Sequence, residues 1–373
     1  MPAPMAPPGY APPVSPSSLG PPPAVVLPSR VRTPPGMAAR GPMPPMGHGP
    51  VMAIHAPVTS PRSEPYPEHE LRWLSTRLRG ELDLAVLIDA TGSMGAHIAE
   101  VRARLVELVD ALRASPLCRD LRLAVVAYRD HPPQDRTFVT QVTPFTADVA
   151  AVREVVMKLE ADGGGDGPEA VTDGLHDVVR LAWRPGAAKA AVWFGDAPPH
   201  GVEPSLDAFP QGCPCGHHWF TQAESLREMG VALYAIGCLP TLRSFVGAEA
   251  MYRQAARATR GMFLPLREAA LLVPLIAGAA ETALDGQRLD VYLEALLAQE
   301  GAQLIGVDED ERVRWVTARF RAEGLKARAM EPGAETAADH PMRFRDVTPV
   351  DIRASFARLA AAGRWSATPP PMA

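Results

Sequence analysis

Asp83-Leu-Ala-Val-Leu-Ile-Asp-Ala-Thr-Gly-Ser-Met94 is the stretch on which the reading of this chain turns. Up to Ile88 it is a short apolar run without polar alternates, the pattern of a strand covered on both faces. The run ends at Asp89, and from there a carboxylate and two hydroxyls, Asp89, Thr91 and Ser93, fall at every second position. In an open parallel sheet, ligands gather in the loops beyond the carboxyl ends of the strands. These three side chains offer only oxygen. That is the donor a hard dication such as Mg²⁺ prefers, in near-octahedral geometry and with some of its waters kept.

Outward from there, short apolar runs alternate with helical periodicity. Ile98, Val101, Leu105, Leu108 and Leu112 recur at spacings of three and four and predict an amphipathic helix. Residues 121–128 form a second buried run, and 136–142 are a candidate edge strand. Val149, Val152, Val156 and Leu159 mark another helix. A glycine loop over 162–168 leads into a helix through Val171, Leu175, Val178 and Ala182. Strands are expected at 189–194, 231–236 and 262–264. Helices are expected around 223–228, through Tyr252 and Ala256, and from Arg267 to about Ala283. Such alternation predicts an α/β fold, doubly wound on a mostly parallel sheet. Past Asp285 a helical stretch is expected at 289–297 and a solvated acidic turn at 308–311. A last helix is capped by Thr348, with Pro349 at its first position, Ile352, Phe356 and Leu359 on one face, and Gly363 as its stop.

The carboxylate logic of Asp89 repeats at a second strand end, Trp193-Phe-Gly-Asp196, and the glycine loop offers Asp166 between the two in sequence. With Asp89-Ala-Thr-Gly-Ser-Met94, Ala127-Tyr-Arg-Asp130, Gly163-Gly-Gly-Asp-Gly-Pro-Glu169 and Gly195-Asp-Ala-Pro-Pro-His200 in this order, the chain resembles the von Willebrand factor type A (vWA) domain. The segment is similar to the bacterial and alpha-kinase-associated branch of that family. The resemblance implies a Rossmann-like vWA fold with a metal-ion-dependent adhesion site (MIDAS), whose signature is Asp-x-Ser-x-Ser. It implies that Asp89 holds the ion largely through water, that Thr91 and Ser93 coordinate it through their hydroxyls, and that Asp196 acts mainly through water. Thr91 departs from the usual Ser but keeps the oxygen. The fourth position, a Thr in adhesive members, falls near Asp166. The expected metal ligands are therefore Asp89, Thr91, Ser93, Asp166 and Asp196, with Mg²⁺ as the ion and Mn²⁺ or Ca²⁺ as substitutes.

Composition sets the domain limits. Of 41 prolines, 21 precede Glu68, and no acidic residue occurs before Glu64. Residues 1–67 are expected as a disordered Pro-rich tail, 81–285 as the vWA domain, 286–365 as a small, mainly helical C-terminal extension, and 366–373 as a second disordered tail. The first sixty residues contribute +3 to a net charge of −5, so the rest carries about −8. No basic stripe points to nucleic acid. No secretory signal is apparent, and the apolar stretch 269–284 is too short for a membrane span and holds Pro274 and Glu281. Four cysteines make no disulfide framework, which leads to a cytoplasmic expectation.

Cys213-Pro-Cys-Gly-His-His218 has a second kind of chemistry. Cys213, Cys215, His217 and His218 are candidate zinc ligands, and Cys238 ends a strand on the same rim; reduced surface thiols are the alternative. Tyr128-Arg-Asp130 reads as a salt-bridged strand end, His200 as a loop residue, His176 as a surface or packing residue and Trp183 as helix-end packing. The function expected is a metal-ion-dependent protein-interaction module, an intracellular scaffold or adaptor and not an enzyme. The resemblance suggests a MoxR-type ATPase among its protein partners. The other reading is a metal-dependent hydrolase or phosphotransferase on the same carboxylates, although no nucleophile or general-base motif accompanies them.

Overall fold

The Asp83 run becomes β1 (Glu81–Asp89), buried almost end to end because a parallel strand lies on each side of it. The computed structural model describes residues 65–330 and 342–367. Along β1, Leu82, Leu84, Val86 and Ile88 enter one apolar core while Ala85 and Leu87 enter the other, the period of two that a pleated strand imposes. Six strands pair in the order β3-β2-β1-β4-β5-β6, with β2 (Asp120–Tyr128), β4 (Ala188–Gly195), β5 (Ala232–Cys238) and β6 (Phe263–Leu266) parallel to β1. Only β3 (Thr140–Thr146), at the edge, runs antiparallel.

Helices cover both faces. On one lie α2 (Gly95–Ala114), whose Ile98, Val101, Leu105, Leu108 and Leu112 are all buried, and the first half of α7 (Leu272–Glu300). On the other lie α4 (Val171–Arg180), α5 (Trp219–Glu228) and α6 (Ala248–Ala258). Helix α3 (Val149–Lys158) starts at Asp148, whose carboxylate accepts the Ala150 and Ala151 amides and so supplies partners to an otherwise open first turn. This is the doubly wound, mostly parallel arrangement expected from the alternation.

The elements after β6 differ from expectation in three ways. The helices expected to stop near Ala283 and restart at Leu289 are one helix, α7, so the boundary placed at 285/286 falls inside a continuous element. The extension also contains a two-stranded antiparallel ribbon, β7 (Lys326–Met330) with β8 (Met342–Asp346), besides α8 (Glu309–Ala322) and α9 (Pro349–Ala361). The acidic run 308–311, expected as a solvated turn, is the cap and first turn of α8, where carboxylates complement the helix dipole. Thr348 and Asp351 form the expected capping box.

A third core joins Leu289, Leu293 and Leu296 of α7 to Phe320, Ile352 and Phe356. Arg288, fully buried, pairs with Asp285 at 2.7 Å and with Glu70 of α1 (Glu68–Leu74). Tyr66 falls within the range expected as a tail, yet it is buried and donates to Asp285 at 3.0 Å. The rest of that range up to residue 64, and 368–373, lie outside the described residues. Residues 269–304 are long and apolar enough to cross a bilayer, and 56% of the most apolar window is buried within the protein.

Candidate metal centre

Strands β1 and β4 are neighbours and parallel, so their carboxyl ends open on one rim and bring Asp89 and Asp196 together. Thr91 donates its hydroxyl to Asp89 Oδ1 at 2.6 Å and its amide to the same atom at 3.0 Å. Thr91 Oγ1 and Ser93 Oγ are 3.4 Å apart, and Ser93 donates to Asp196 Oδ1 at 2.9 Å. Four of the five residues expected as ligands thus form one continuous oxygen cluster. Asp89, Thr91 and Asp196 are buried, while Ser93 is exposed and leaves a side open to solvent.

Beneath the cluster, Trp193 donates to Tyr128 OH at 3.0 Å, and Tyr128 donates to Asp89 Oδ2 at 3.3 Å, fixing the second carboxylate oxygen. Gly195 is required here: a Cβ would stand 2.6 Å from Tyr128 OH and 3.0 Å from Asp89 Oδ2. The glycine loop is braced against the β1 turn by Gly92 N–H to Gly163 O and Asp162 N–H to Ala90 O. Arg129, buried, reaches Ala90 O and Glu160 O and lies 3.9 Å from Asp135, so the strand end is salt-bridged as expected.

Asp166, the fifth expected ligand, makes other contacts. Its Oδ2 accepts the Ala208 amide at 2.5 Å, and its carboxylate groups with His200 and Asp207. His200 is not a plain loop residue: it is buried between Asp130 Oδ1 at 2.7 Å and Asp207 Oδ1 at 2.8 Å. Burial works against its charge, but the hydrogen bonds and charges of Asp130 and Asp207 hold its pKa above the ordinary value.

The carboxylate beside the cluster that the sequence reading missed is Glu169. It is buried, an isolated bridge aligns it with Pro199 just past β4, and its Oε2 has no hydrogen-bond partner. Gly164, at φ +79°, leaves room for it: a Cβ there would meet Glu169 Oε1 at 2.6 Å and Thr91 Cβ at 3.3 Å. Burial, then the charges of Asp89, Asp130, Asp166 and Asp196, push the Glu169 carboxyl up to about 11. Burial and the Asp196 charge push Asp89 up to about 7.

Asp83, at the other end of β1, is equally buried, and two guanidinium groups neutralise it: Arg122 at 2.7 Å and Arg184 at 2.8 Å. Among the described residues, no Lys or Arg pairs with Asp89, Asp196 or Glu169. A buried carboxylate cluster without a cation is costly. Two hydroxyls and three carboxylates, one of them with an orphaned oxygen, fit a hard dication, because they are all-oxygen donors with room for water on the Ser93 side.

Other expectations divide. Trp183 closes the end of α4, with its indole N–H on Val178 O at 2.9 Å. His176 stacks on His217, with ring centroids 3.9 Å apart. Cys238 is buried at the end of β5.

A family model described as von Willebrand factor A domain matches residues 83–203. The chain is similar to the alpha-protein kinase vwkA of Dictyostelium discoideum, 29% identical over 151 residues, which are 40% of this chain and 24% of the kinase. It is also similar to a putative ariadne-like RING finger protein of Acanthamoeba polyphaga mimivirus, 26% identical over 164 residues, 42% of this chain and 16% of that protein. The chain thus spans a quarter or less of either relative. Among solved structures, a von Willebrand factor type A protein from Catenulispora acidiphila is 18% identical with a TM-score of 0.39, covering 55% of this chain and 43% of that one. The pilus adhesin SpaC of Lactobacillus rhamnosus GG is 11% identical with a TM-score of 0.41, covering 55% and 30%. On the matched residues and the order of its motifs, this chain carries a von Willebrand factor A domain.

Proposed function

We propose that the rim of the sheet is a divalent-cation centre through which the protein binds other proteins, as a scaffold or adaptor and not as an enzyme. The observation that carries this reading is the contrast along one strand: Asp83 is neutralised by two arginines, whereas Asp89, with Asp196 and Glu169 beside it, has no basic partner among the described residues. Thr91 and Ser93 would contribute hydroxyls, Asp89 and Asp196 would act largely through water, and Glu169 would stand in the place first given to Asp166. The ion would supply a fixed positive charge there, most simply Mg²⁺, with Mn²⁺ or Ca²⁺ as replacements.

With three carboxylates around it, a dication is already neutralised by the protein. A carboxylate brought by a partner then gains little for the water it gives up. Recognition is therefore spread over the neighbouring loops. Leu206 is 53% exposed and Val246 78% exposed, and Gly167, two residues before Glu169, packs close to Leu206 and Phe245. These apolar groups flank the charged centre. The four unpaired thiols support a reducing compartment for the protein, and a MoxR-type ATPase is one partner class to test.

The test is calorimetric titration of Mg²⁺ and Mn²⁺ into chelator-treated protein, followed by capture of partners from native extract. Glu169→Gln is expected to weaken cation affinity by roughly ten- to a hundredfold, as loss of a supporting carboxylate does. A Thr91→Ala, Ser93→Ala double variant is expected to lose both uptake and capture. Wild-type protein that takes up no dication would overturn the centre, and capture undiminished in the double variant would uncouple it from binding.

A further inference from the structure

The sequence spacing groups Cys213 and Cys215 with His217 and His218, but the fold regroups them. One ligand atom each from His131, Asp173, Cys213 and Cys215 lies within 4.8 Å of all the others. The four come from three parts of the chain: the loop after β2, the first turn of α4, and the long connection between β4 and α5. His217 stands outside the group, 3.9 Å from Asp173 and stacked on His176. His218 turns away to cap α5, accepting the Phe220 amide at 3.3 Å.

We propose that His131, Asp173, Cys213 and Cys215 bind one zinc ion. Zn–S bonds of about 2.3 Å and Zn–N or Zn–O bonds of about 2.0–2.2 Å place tetrahedral ligands roughly 3.3–3.8 Å apart. Cys213 Sγ and His131 Nε2 are 3.8 Å apart, Cys213 Sγ and Asp173 Oδ2 3.0 Å, and His131 Nε2 and Asp173 Oδ2 2.9 Å. The first distance already fits. The other two fall short by roughly half an ångström, which small side-chain rotations supply. The turn that begins at Cys213 is closed by Gly216, which at φ +75° donates its amide to Cys213 O at 2.9 Å. Two sulfurs, an imidazole and a carboxylate select zinc over the hard cation of the rim. Each thiol gives up its proton to solvent as the ion enters.

The consequence is mechanical. Residues 196–218 join β4 to α5 with only a short helical turn, Pro204–Leu206, between them, and they carry Asp196, His200 and Asp207. A zinc ion held by Asp173 and His131 would fasten the far end of this connection to α4 and to the loop after β2. Loops longer than about 12–15 residues without structure of their own are uncommon in compact domains and are usually functional.

The experiment uses the full chain, purified in reductant without chelator, with elemental analysis and then cobalt substitution. Wild type is expected to hold one zinc ion and, with Co²⁺, to show a thiolate charge-transfer band and the intense visible bands of a tetrahedral site. Cys213→Ser, His131→Ala and the isosteric Asp173→Asn are each expected to weaken uptake at least roughly tenfold, while His217→Ala and His218→Ala leave it intact. Asp89→Ala is expected to lose Mg²⁺ and keep zinc, so this site and the rim centre can fail separately. Absence of zinc and cobalt uptake in wild type overturns the proposal. So does full zinc content in Cys213→Ser, or a loss in His218→Ala as large as in His131→Ala.

Discussion

Removing a charge from the rim should strengthen the fold when no cation is present. Burial and then Asp196 raise the Asp89 carboxyl from 3.8 to about 7. The unfolded chain ionises near the lower value while the folded chain keeps its proton to the higher one. The folded state therefore binds more protons in between, and ion-free stability falls as pH rises from about 4 to 7. At about 1.4 kcal/mol per pH unit, the loss reaches roughly 4 kcal/mol above pH 7. Glu169, raised to about 11, extends the decline to higher pH. Asp89→Asn keeps the shape and removes the charge. In chelator at pH 8 the variant is expected to unfold at higher urea than wild type, by up to roughly 4 kcal/mol, and the two should converge near pH 4. In Mg²⁺ the gap narrows: wild type gains about 2.7 kcal/mol at a hundredfold excess over its dissociation constant, and the variant gains nothing. Urea titrations followed by tryptophan fluorescence, with and without Mg²⁺ at several pH values, measure all of this. An Asp89→Asn variant weaker than wild type in chelator at pH 8 would mean that the protein satisfies this carboxylate unaided, and the argument for a cation fails.

Further outcomes follow from close packing elsewhere. Gly195→Ala forces a methyl to within 2.6 Å of Tyr128 OH and 3.0 Å of Asp89 Oδ2, so Mg²⁺ uptake by calorimetry should be lost along with about 1–3 kcal/mol of stability. Arg288→Met leaves Asp285 and Glu70 buried without their guanidinium partner and should cost about 3–5 kcal/mol in urea unfolding; a near-neutral result would mean that water replaces the arginine. Thr348→Ala removes the capping box of α9 and should cost about 1 kcal/mol by the same measurement.

How much could be read from the residues depended on whether the signal was local. Strand β1 and its loop were legible because a strand with parallel neighbours on both sides is apolar throughout and ends abruptly where the oxygens begin. The edge strand was expected at 136–142 and lies at Thr140–Thr146. One side of it is open, so its pattern is mixed, and it accommodates Pro144, which a central strand would not. The helix was expected to stop at about Ala283, but Asp285 is buried against Arg288 one turn later and the helix runs on. Glu169 reads as an ordinary acid ahead of a helix, and its proximity to Asp89 and Asp196 comes from a bridge to Pro199 that no spacing announces. The run Gly163-Gly-Gly with two positive φ angles is the usable hint, since such glycines are needed where a loop must pass close to a side chain. Asp166 is the more conspicuous acid of that loop and drew the expectation instead. His131 and Asp173 lie far from Cys213 in sequence, and only the fold makes them neighbours.

Helix α7 spans 29 residues, about 44 Å of rod at 1.5 Å per residue. Leu275 and Ile276 belong to the sheet's core and Leu293 and Leu296 to the core of the extension, so one stiff axle serves both. Cutting the chain at the sheet's apparent end would shear that axle and bare its apolar flank. A twist or pull applied to the outer half by a bound protein would reach the sheet along the same continuous helix.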